Sequence, residues 1–294
     1  LNEDKKENAS LALLGELDAL RIPEHAFANP ETNAAHCCGH HAQMAGVFGA
    51  ALALTVPEIA EKLDGQVVFF ATPAEEYGEI EFKNQLREQG KIRYGGGKCE
   101  LLRIGAFDDI DLCLTHHIRP GNEILVGSGT GNGFVSKVIR VLGKASHAAG
   151  APEKGVNALS AASLGLQALG LNRETFRDED CVRVHPIITK GGNLVNVIPD
   201  EVVVETLVRG KTIEAFTDAA KKTDRSFKAG AIAMGAKVEI STLPGYLPTL
   251  AEEALPELKP VFAAIHTQYP DIDKTNVGVG STIFAVKPGQ SAHG

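Results

Sequence analysis

Five of the eight residues in His36-Cys37-Cys38-Gly39-His40-His41-Ala42-Gln43 carry side chains that bind transition metals, the densest such stretch in the chain. Thiolate and imidazole together suit zinc and its neighbours. Cys38 and His40 point the same way if the segment is extended, and Gly39 lets the backbone approach a neighbour closely. A buried cysteine pair beside surface histidines would produce the same letters. Further donors along the chain favour the metal: Glu76 in Thr72-Pro73-Ala74-Glu75-Glu76, His117 in His116-His117-Ile118-Arg119-Pro120, and His293 in the closing Ser291-Ala292-His293-Gly294. A catalytic zinc takes about three protein ligands plus water. Cys38, His40, Glu76, His117 and His293 therefore fit two divalent ions sharing a bridge better than one, with zinc or manganese first and cobalt as a third choice. Such a pair converts bound water to hydroxide near neutral pH for attack on an electrophilic carbon. Glu75 is placed to take the water's proton and pass it to a leaving nitrogen. Alternatively, Glu75-Glu76 opens a helix, where the dipole favours acids.

These clusters need elements to hold them. Leu11–Leu14 reads as a buried strand running into a loop with Asp18, which could orient a ligand histidine. A tightly packed helix is expected to start just after His40, and Val47–Val56 reads as its buried part. Val67–Ala71 suits a strand buried on both faces, ending at the Glu75-Glu76 cluster. Gly95-Gly96-Gly97-Lys98 lacks the length of a phosphate cradle and reads as a flexible surface loop. Asp111–Thr115 is a third strand, ending at His116-His117. Alternating strands and helices suggest a parallel α/β sheet, and ligands bind outside the carboxyl ends of its strands.

After Gly127 the pattern changes. Strands at Phe134–Leu142, Cys181–Ile188, Glu201–Arg209 and Lys237–Leu243 enclose helices at Gly155–Leu171 and Ile213–Met234. This is the ferredoxin-like order β-α-β-β-α-β. From Pro244 the α/β character returns, with a helix over Glu252–Tyr269. The expected fold is thus a mainly parallel catalytic sheet flanked by helices, formed by residues 1–126 and 244–294, with an inserted ferredoxin-like domain at 127–243.

The net charge of −8 removes the basic face that a general nucleic-acid binder needs. With no Trp and 5% aromatics, a base-stacking platform is excluded too. No apolar run reaches the ~18 residues of a membrane helix, and the polar opening Leu1–Ser10 differs from a signal peptide. Five cysteines without framework spacing imply free or metal-bound thiols in a reducing, cytoplasmic setting. Cys37, Cys99, Cys113 and Cys181 read as packing residues.

Taken together, Leu14-Gly15-Glu16-Leu17-Asp18-Ala19-Leu20, His36–His40, Thr72–Glu76, His117–Pro120, Ser146-His147 with Pro152, Asn196-Val197-Ile198-Pro199, Arg209 and the closing Ser-Ala-His-Gly run in the order seen in one family. The chain resembles the dinuclear metallohydrolases that include aminoacylase, carboxypeptidase G, indole-acetyl-amino-acid hydrolases and aminobenzoyl-glutamate hydrolase. Residues 82–109 and Pro244–Pro248 look most like the last branch. The resemblance implies that Cys38, His40, Glu76, His117 and His293 are ligands and Glu75 the general base. It also implies that the insert is a lid and homodimerisation domain whose His147 reaches a neighbouring active site to stabilise the oxyanion, and that Asn196 and Arg209 hold substrate. Departures fall at His41, where an acidic or amide residue is usual, and at Gln43, where a second His is usual. Both are pocket candidates for the substrate. The family also carries a segment before Leu11 and an acidic loop after Ser281-Thr282, which here runs straight to Ile283.

The leading function is hydrolysis of the amide bond of a small N-acyl or N-aroyl amino acid or short peptide. A second keeps the site and changes the substrate: hydrolytic deamination of an activated aromatic amine. A third, from another class, is a catalytically silent metal-binding homologue, in which Glu75 could be replaced without effect.

Overall fold

The computed structural model describes residues 9–120, 124–126, 131–248 and 279–286. His293 and the helix expected over 252–269 lie outside them. In chain order the strands are β1 (Ser10–Glu16), β2 (Leu20–Arg21), β3 (Ala34–Ala35), β4 (Gln66–Thr72), β5 (Leu112–Pro120), β6 (Ile124–Val126), β7 (Gly133–Leu142), β8 (Arg183–Val184), β9 (Ile187–Lys190), β10 (Glu201–Gly210), β11 (Lys237–Pro244) and β12 (Val279–Val286). The helices are α1 (His40–Leu54), α2 (Pro57–Ala60), α3 (Ile80–Glu88), α4 (Gly97–Arg103), α5 (Ala158–Asn172) and α6 (Ile213–Ala233). Among the described residues, 9–78, 96–120, 124–126 and 279–286 form one compact unit, and 79–95 with 131–248 form another. None of the described helices is long and apolar enough to cross a membrane.

The first unit holds a sheet in the order β4-β1-β5-β12-β6. β1 runs parallel to β4 and β5, β12 is antiparallel to β5, and β6 is parallel to β12. The mainly parallel α/β reading therefore holds. Among the described residues, Ala12 and Leu14 of β1 pack with Phe107 and Ile110, and Phe70 stacks on Phe107 at 4.6 Å between ring centroids.

Several expectations need correction. α1 is not a buried helix: Phe48 and Leu52 are 64% and 57% exposed, and only His40, Gln43 and Val47 are buried. β4 pairs with β1 alone, so it stands at the edge of the described sheet, with Phe69 exposed rather than covered on both faces. Residues 95–98 are a buried helix start rather than a surface loop. β5 does not stop at Thr115, because β12 pairs with it from Cys113 through Pro120. His117 consequently lies within a strand. Cys37 and Cys181 are exposed, not packing residues, while all five thiols are free.

The second unit carries the antiparallel sheet β11-β7-β10-β8, the ferredoxin-like order, with β9 also pairing β10. The strand expected over 181–188 is broken into β8 and β9 around His185-Pro186, where proline removes a ladder donor. α5 starts where the Asn157 side chain accepts from the Leu159 and Ser160 N–H groups, and α6 where Thr212 accepts from Ala215 N–H. Both helices pack on one sheet face, where Ile139, Val141, Val202, Val204 and Val208 meet Ala219 and Phe227 of α6. On the other face, α3 seats Ile80 against Val138, Val203 and Leu243.

Candidate metal centre

The polar residues of the first unit converge at the carboxyl ends of β1 and β4 and along β5. β1 delivers Glu16 as its last residue, with Asp18 two residues beyond. α1 opens on His40 after Gly39, whose φ of 108° suits glycine. A Cβ on Gly39 would lie 2.3 Å from Ile118 Cγ1, so glycine also lets this loop lie flat on β5. The loop after β4 carries Glu75 and Glu76 between two strained residues, Ala74 and Tyr77, with φ of 57° and 56°. No helix starts at Glu75-Glu76. Non-glycine residues in this region cost on the order of 1–3 kcal/mol each and persist where the surroundings hold them. Here the holding groups are visible: Glu76 N–H donates to Asp18 Oδ2 at 2.8 Å, and Gly97 N–H donates to Ala74 O at 3.1 Å. A Cβ on Gly97 would collide with Pro73 O at 1.7 Å.

Both candidate imidazoles present the same nitrogen inward. His40 Nδ1 lies 2.8 Å from the Asp18 carbonyl oxygen, and His117 Nδ1 lies 2.7 Å from that of Ile118. A carbonyl only accepts, so in the neutral rings Nδ1 carries the proton and Nε2 offers its lone pair. Asp18 thus orients His40, chiefly through its backbone. His117 Nε2 is 3.6 Å from Cys38 Sγ, and the ligand atoms of Cys38, His40 and His117 lie within 4.8 Å of one another. His40 Nε2 is 3.8 Å from Glu75 Oε2 and 3.9 Å from Glu76 Oε1.

His40 Nε2, Glu16 Oε2, Asp18 Oδ1 and Glu76 Oε1 are buried without a hydrogen-bond partner among the described residues. A buried unsatisfied polar atom costs about 1–3 kcal/mol, and four in one place ask for a cation. The mixed sulfur, nitrogen and carboxylate donors fit a divalent transition metal. Burial, the Glu76 hydrogen bond and the charges of Glu76, Glu75 and Glu16 push the Cys38 thiol up to about 12. Burial likewise raises the Glu75 carboxyl above its ordinary range, against the pull of Lys98.

Two residues of this centre were not singled out from the sequence. Glu16 and Lys98 form a buried ion pair, and Lys98 Nζ also stands 4.0 Å from Glu75 Oε1. Glu16 sat within the family-like stretch at residues 14–20, which was the available signal. Lys98 gave none, because its glycine-rich neighbours imitate a loop.

Of the expected pocket residues, His41 is exposed at the start of α1. Gln43 is not available to a substrate. It is 1% exposed; its Oε1 accepts from Glu16 N–H, and its Nε2 donates to Thr115 Oγ1 and His116 O. It ties β1 to β5 instead. His147, Asn196 and Arg209 belong to the other unit and are exposed there. His147 Nδ1 accepts from the Ala149 and Gly150 N–H groups at 3.2 and 2.9 Å, leaving Nε2–H as the free donor of the neutral ring. His147 also bridges to Val197, next to Asn196, while the Arg209 guanidinium lies 5.2 Å from the Phe134 ring centroid.

Residues 131–233 match the peptidase dimerisation domain of the M20 family. The human Xaa-Arg dipeptidase is 32% identical over 210 residues, which is 70% of this chain and 43% of that protein. A component of the p-aminobenzoyl-glutamate hydrolase from Escherichia coli is 30% identical over 239 residues, 79% of this chain and 44% of the relative. The chain thus spans less than half the length of these relatives. An aminobenzoyl-glutamate utilization protein from Klebsiella pneumoniae superposes with a TM-score of 0.55 at 18% identity, covering 94% of this chain and 66% of that one, a likeness of fold.

Proposed function

We propose that the protein is a metal-dependent hydrolase cleaving the amide bond of a small N-acyl or N-aroyl amino acid or a dipeptide, a reading supported by the match of residues 131–233 to the M20 peptidase dimerisation domain and by the similarity to the dipeptidase and aminobenzoyl-glutamate hydrolase relatives. The observation that carries this reading is the group of unbonded buried polar atoms around His40, beside Cys38 and His117. In this reading Cys38, His40, Glu76 and His117, with His293, hold two divalent ions, zinc or manganese. Ions held there supply Lewis acidity and an activated water. Glu75 removes the proton and delivers it to the leaving nitrogen. Its raised carboxyl suits a group that must hold a proton between two steps. Residues 127–243 serve as lid and homodimerisation domain, and the rest as a discontinuous catalytic domain. His147 Nε2–H donates to the oxyanion of a partner's site, with Asn196, Arg209 and His41 contacting the substrate. The match of 131–233 to a dimerisation domain supports that role for the insert.

Elemental analysis of protein loaded with zinc or manganese and then desalted is expected to find about two ions per chain. One ion, unchanged in His293→Ala, sinks the dinuclear reading. Glu75→Gln is expected to lose at least ~10² in turnover of acyl-amino acids or dipeptides, the low end for losing a general acid–base, with metal content held. Joint loss of metal and activity would make Glu75 a ligand instead.

A further inference from the structure

We infer that Glu16 is an additional metal ligand beside His40, and that Lys98 is the residue that orients it. The inference rests on the metal-dependent reading above and adds two residues to it. Glu16 is 3% exposed, and its two oxygens have different surroundings. Oε1 is held by the Lys98 ammonium. Among the described residues Oε2 has no hydrogen-bond partner and faces His40 Nε2 at 3.1 Å, and that nitrogen also lacks a hydrogen bond. With ligand bonds of about 2.0–2.2 Å, two donors on one ion at tetrahedral or octahedral angles stand roughly 2.9–3.5 Å apart. The Oε2–Nε2 separation falls inside that window. Glu16, His40 and Glu75 also form a group whose ligand atoms lie within 4.8 Å of one another, sharing His40 with the Cys38–His117 group.

Lys98 completes the pattern in which a ligating carboxylate is itself hydrogen-bonded through its other oxygen. Its placement is built rather than incidental. Gly97 is wedged under Pro73 O, which fixes the start of α4 against the loop that carries Glu75 and Glu76. Lys98 is 9% exposed, so its charge is removed from water and needs Glu16 as a counter-ion. An ammonium cannot ligate. Lys98 is therefore a positioning residue that acts on the ion through Glu16, its charge also reaching Glu75 at 4.0 Å.

The test is metal affinity, measured by competition with a chelator, together with the visible ligand-field spectrum of the cobalt(II)-loaded protein. Glu16→Gln is expected to lower affinity for one ion by at least ~100-fold, the upper end of what an outer partner alone costs, and to alter the cobalt spectrum. Lys98→Met is expected to cost about 10–100-fold with the cobalt spectrum retained. Either single change leaves a buried charge unpaired and could compromise folding. The double variant Glu16→Gln/Lys98→Met removes both charges and should fold while keeping the affinity and spectrum of Glu16→Gln. Wild-type affinity and spectrum in the double variant overturn the inference. A changed cobalt spectrum in Lys98→Met, with Glu16→Gln unchanged, overturns the order of roles. Failure of the wild-type protein itself to bind metal would instead reject the reading this inference rests on.

Discussion

The βαββαβ unit buries Phe227, Val202, Val204, Ile139 and Leu169 against one another, whereas the ends of β1 and β4 bring together the buried Glu16 and His40 with the half-buried Asp18 and Glu76, each with a buried atom left unbonded among the described residues. The contrast extends to the two buried lysines. Lys137 of the insert is 2% exposed, and its ammonium meets Asp224 at 2.8 Å and Thr242 Oγ1 at 2.9 Å. Lys98 meets Glu16 but also faces a second carboxylate, Glu75, with donors on the far side unsatisfied. The second unit is not free of unbonded buried atoms, since Asn84 Oδ1, Ser136 Oγ and Asp224 Oδ1 are also without a hydrogen bond among the described residues, but none of them belongs to a group of metal-binding side chains. In that sense this burial is closed, and it serves stability. The other is open and acquires its meaning from what it binds. Backbone strain occurs in both units, at Glu79 and Cys181 of one and at Ala74 and Tyr77 of the other, where it brackets the two glutamates.

The largest expected effect is in the closed region. Phe227 is fully buried between α6 and α5, with its ring over Gly165. Phe227→Ala should cost about 3–5 kcal/mol in urea or thermal unfolding and leave metal affinity per folded molecule unchanged. A loss below ~1 kcal/mol would mean this core is loosely packed, and the contrast between the regions would fail.

Next comes the one place where the closed unit is assigned chemistry. His147→Ala is expected to lower turnover by ~10² or more, as for loss of an oxyanion donor, without loss of metal. Mixing inactive His147→Ala with inactive Glu75→Ala protomers should restore activity, because each mixed dimer rebuilds one intact site. Protomers shown to exchange without recovery would reject delivery in trans.

The division also explains what could be read from residues alone. The insert was legible because its strands and helices have clean periodicities, such as Val202, Val204, Thr206 and Val208 alternating on β10. At His185-Pro186 the proline splits one expected strand into β8 and β9, a break that periodicity does not display. In the first unit the donors Cys38, His40, Glu76 and His117 were legible by type, but their surroundings were not. Gln43 looked like a pocket residue, yet is spent joining β1 to β5, a long-range role that spacing cannot display. Lys98 looked exposed because glycines usually mark loops. Here the glycines permit close contact with Pro73. α1 looked buried because its composition is apolar, yet Phe48 and Leu52 face outward.

A smaller effect tests whether the open region holds protons in place of a metal. In the metal-free protein the Cys38 thiol is pushed up to about 12, so it is protonated throughout the neutral range. Metal binding requires the thiolate and must expel that proton. Affinity should therefore rise with pH, by up to ~10-fold per unit for this group, and Cys38→Ser should flatten the slope. An affinity independent of pH between about 6 and 8 would show that Cys38 is not a ligand.

The smallest effect belongs to the surface of the closed unit. Lys190, then Arg140, hold the Glu201 carboxyl below its ordinary range, against a partial burial that acts the other way. Arg140 joins Glu201 at 3.0 Å and also bonds Glu81, which lies next to Ile80 at the start of α3. The folded state thus prefers the charged form of Glu201 more than the unfolded chain does. Its contribution is complete above the unfolded glutamate value of about 4.3 and disappears as pH falls through the lower folded value. Partly exposed pairs of this kind contribute about 0–1 kcal/mol. Glu201→Gln should therefore destabilise slightly at neutral pH, and more weakly in added salt. The difference from wild type should vanish in acid. A difference that persists in acid would mean that Glu201 acts through packing on β10, and that the closed unit owes nothing measurable to its surface charges.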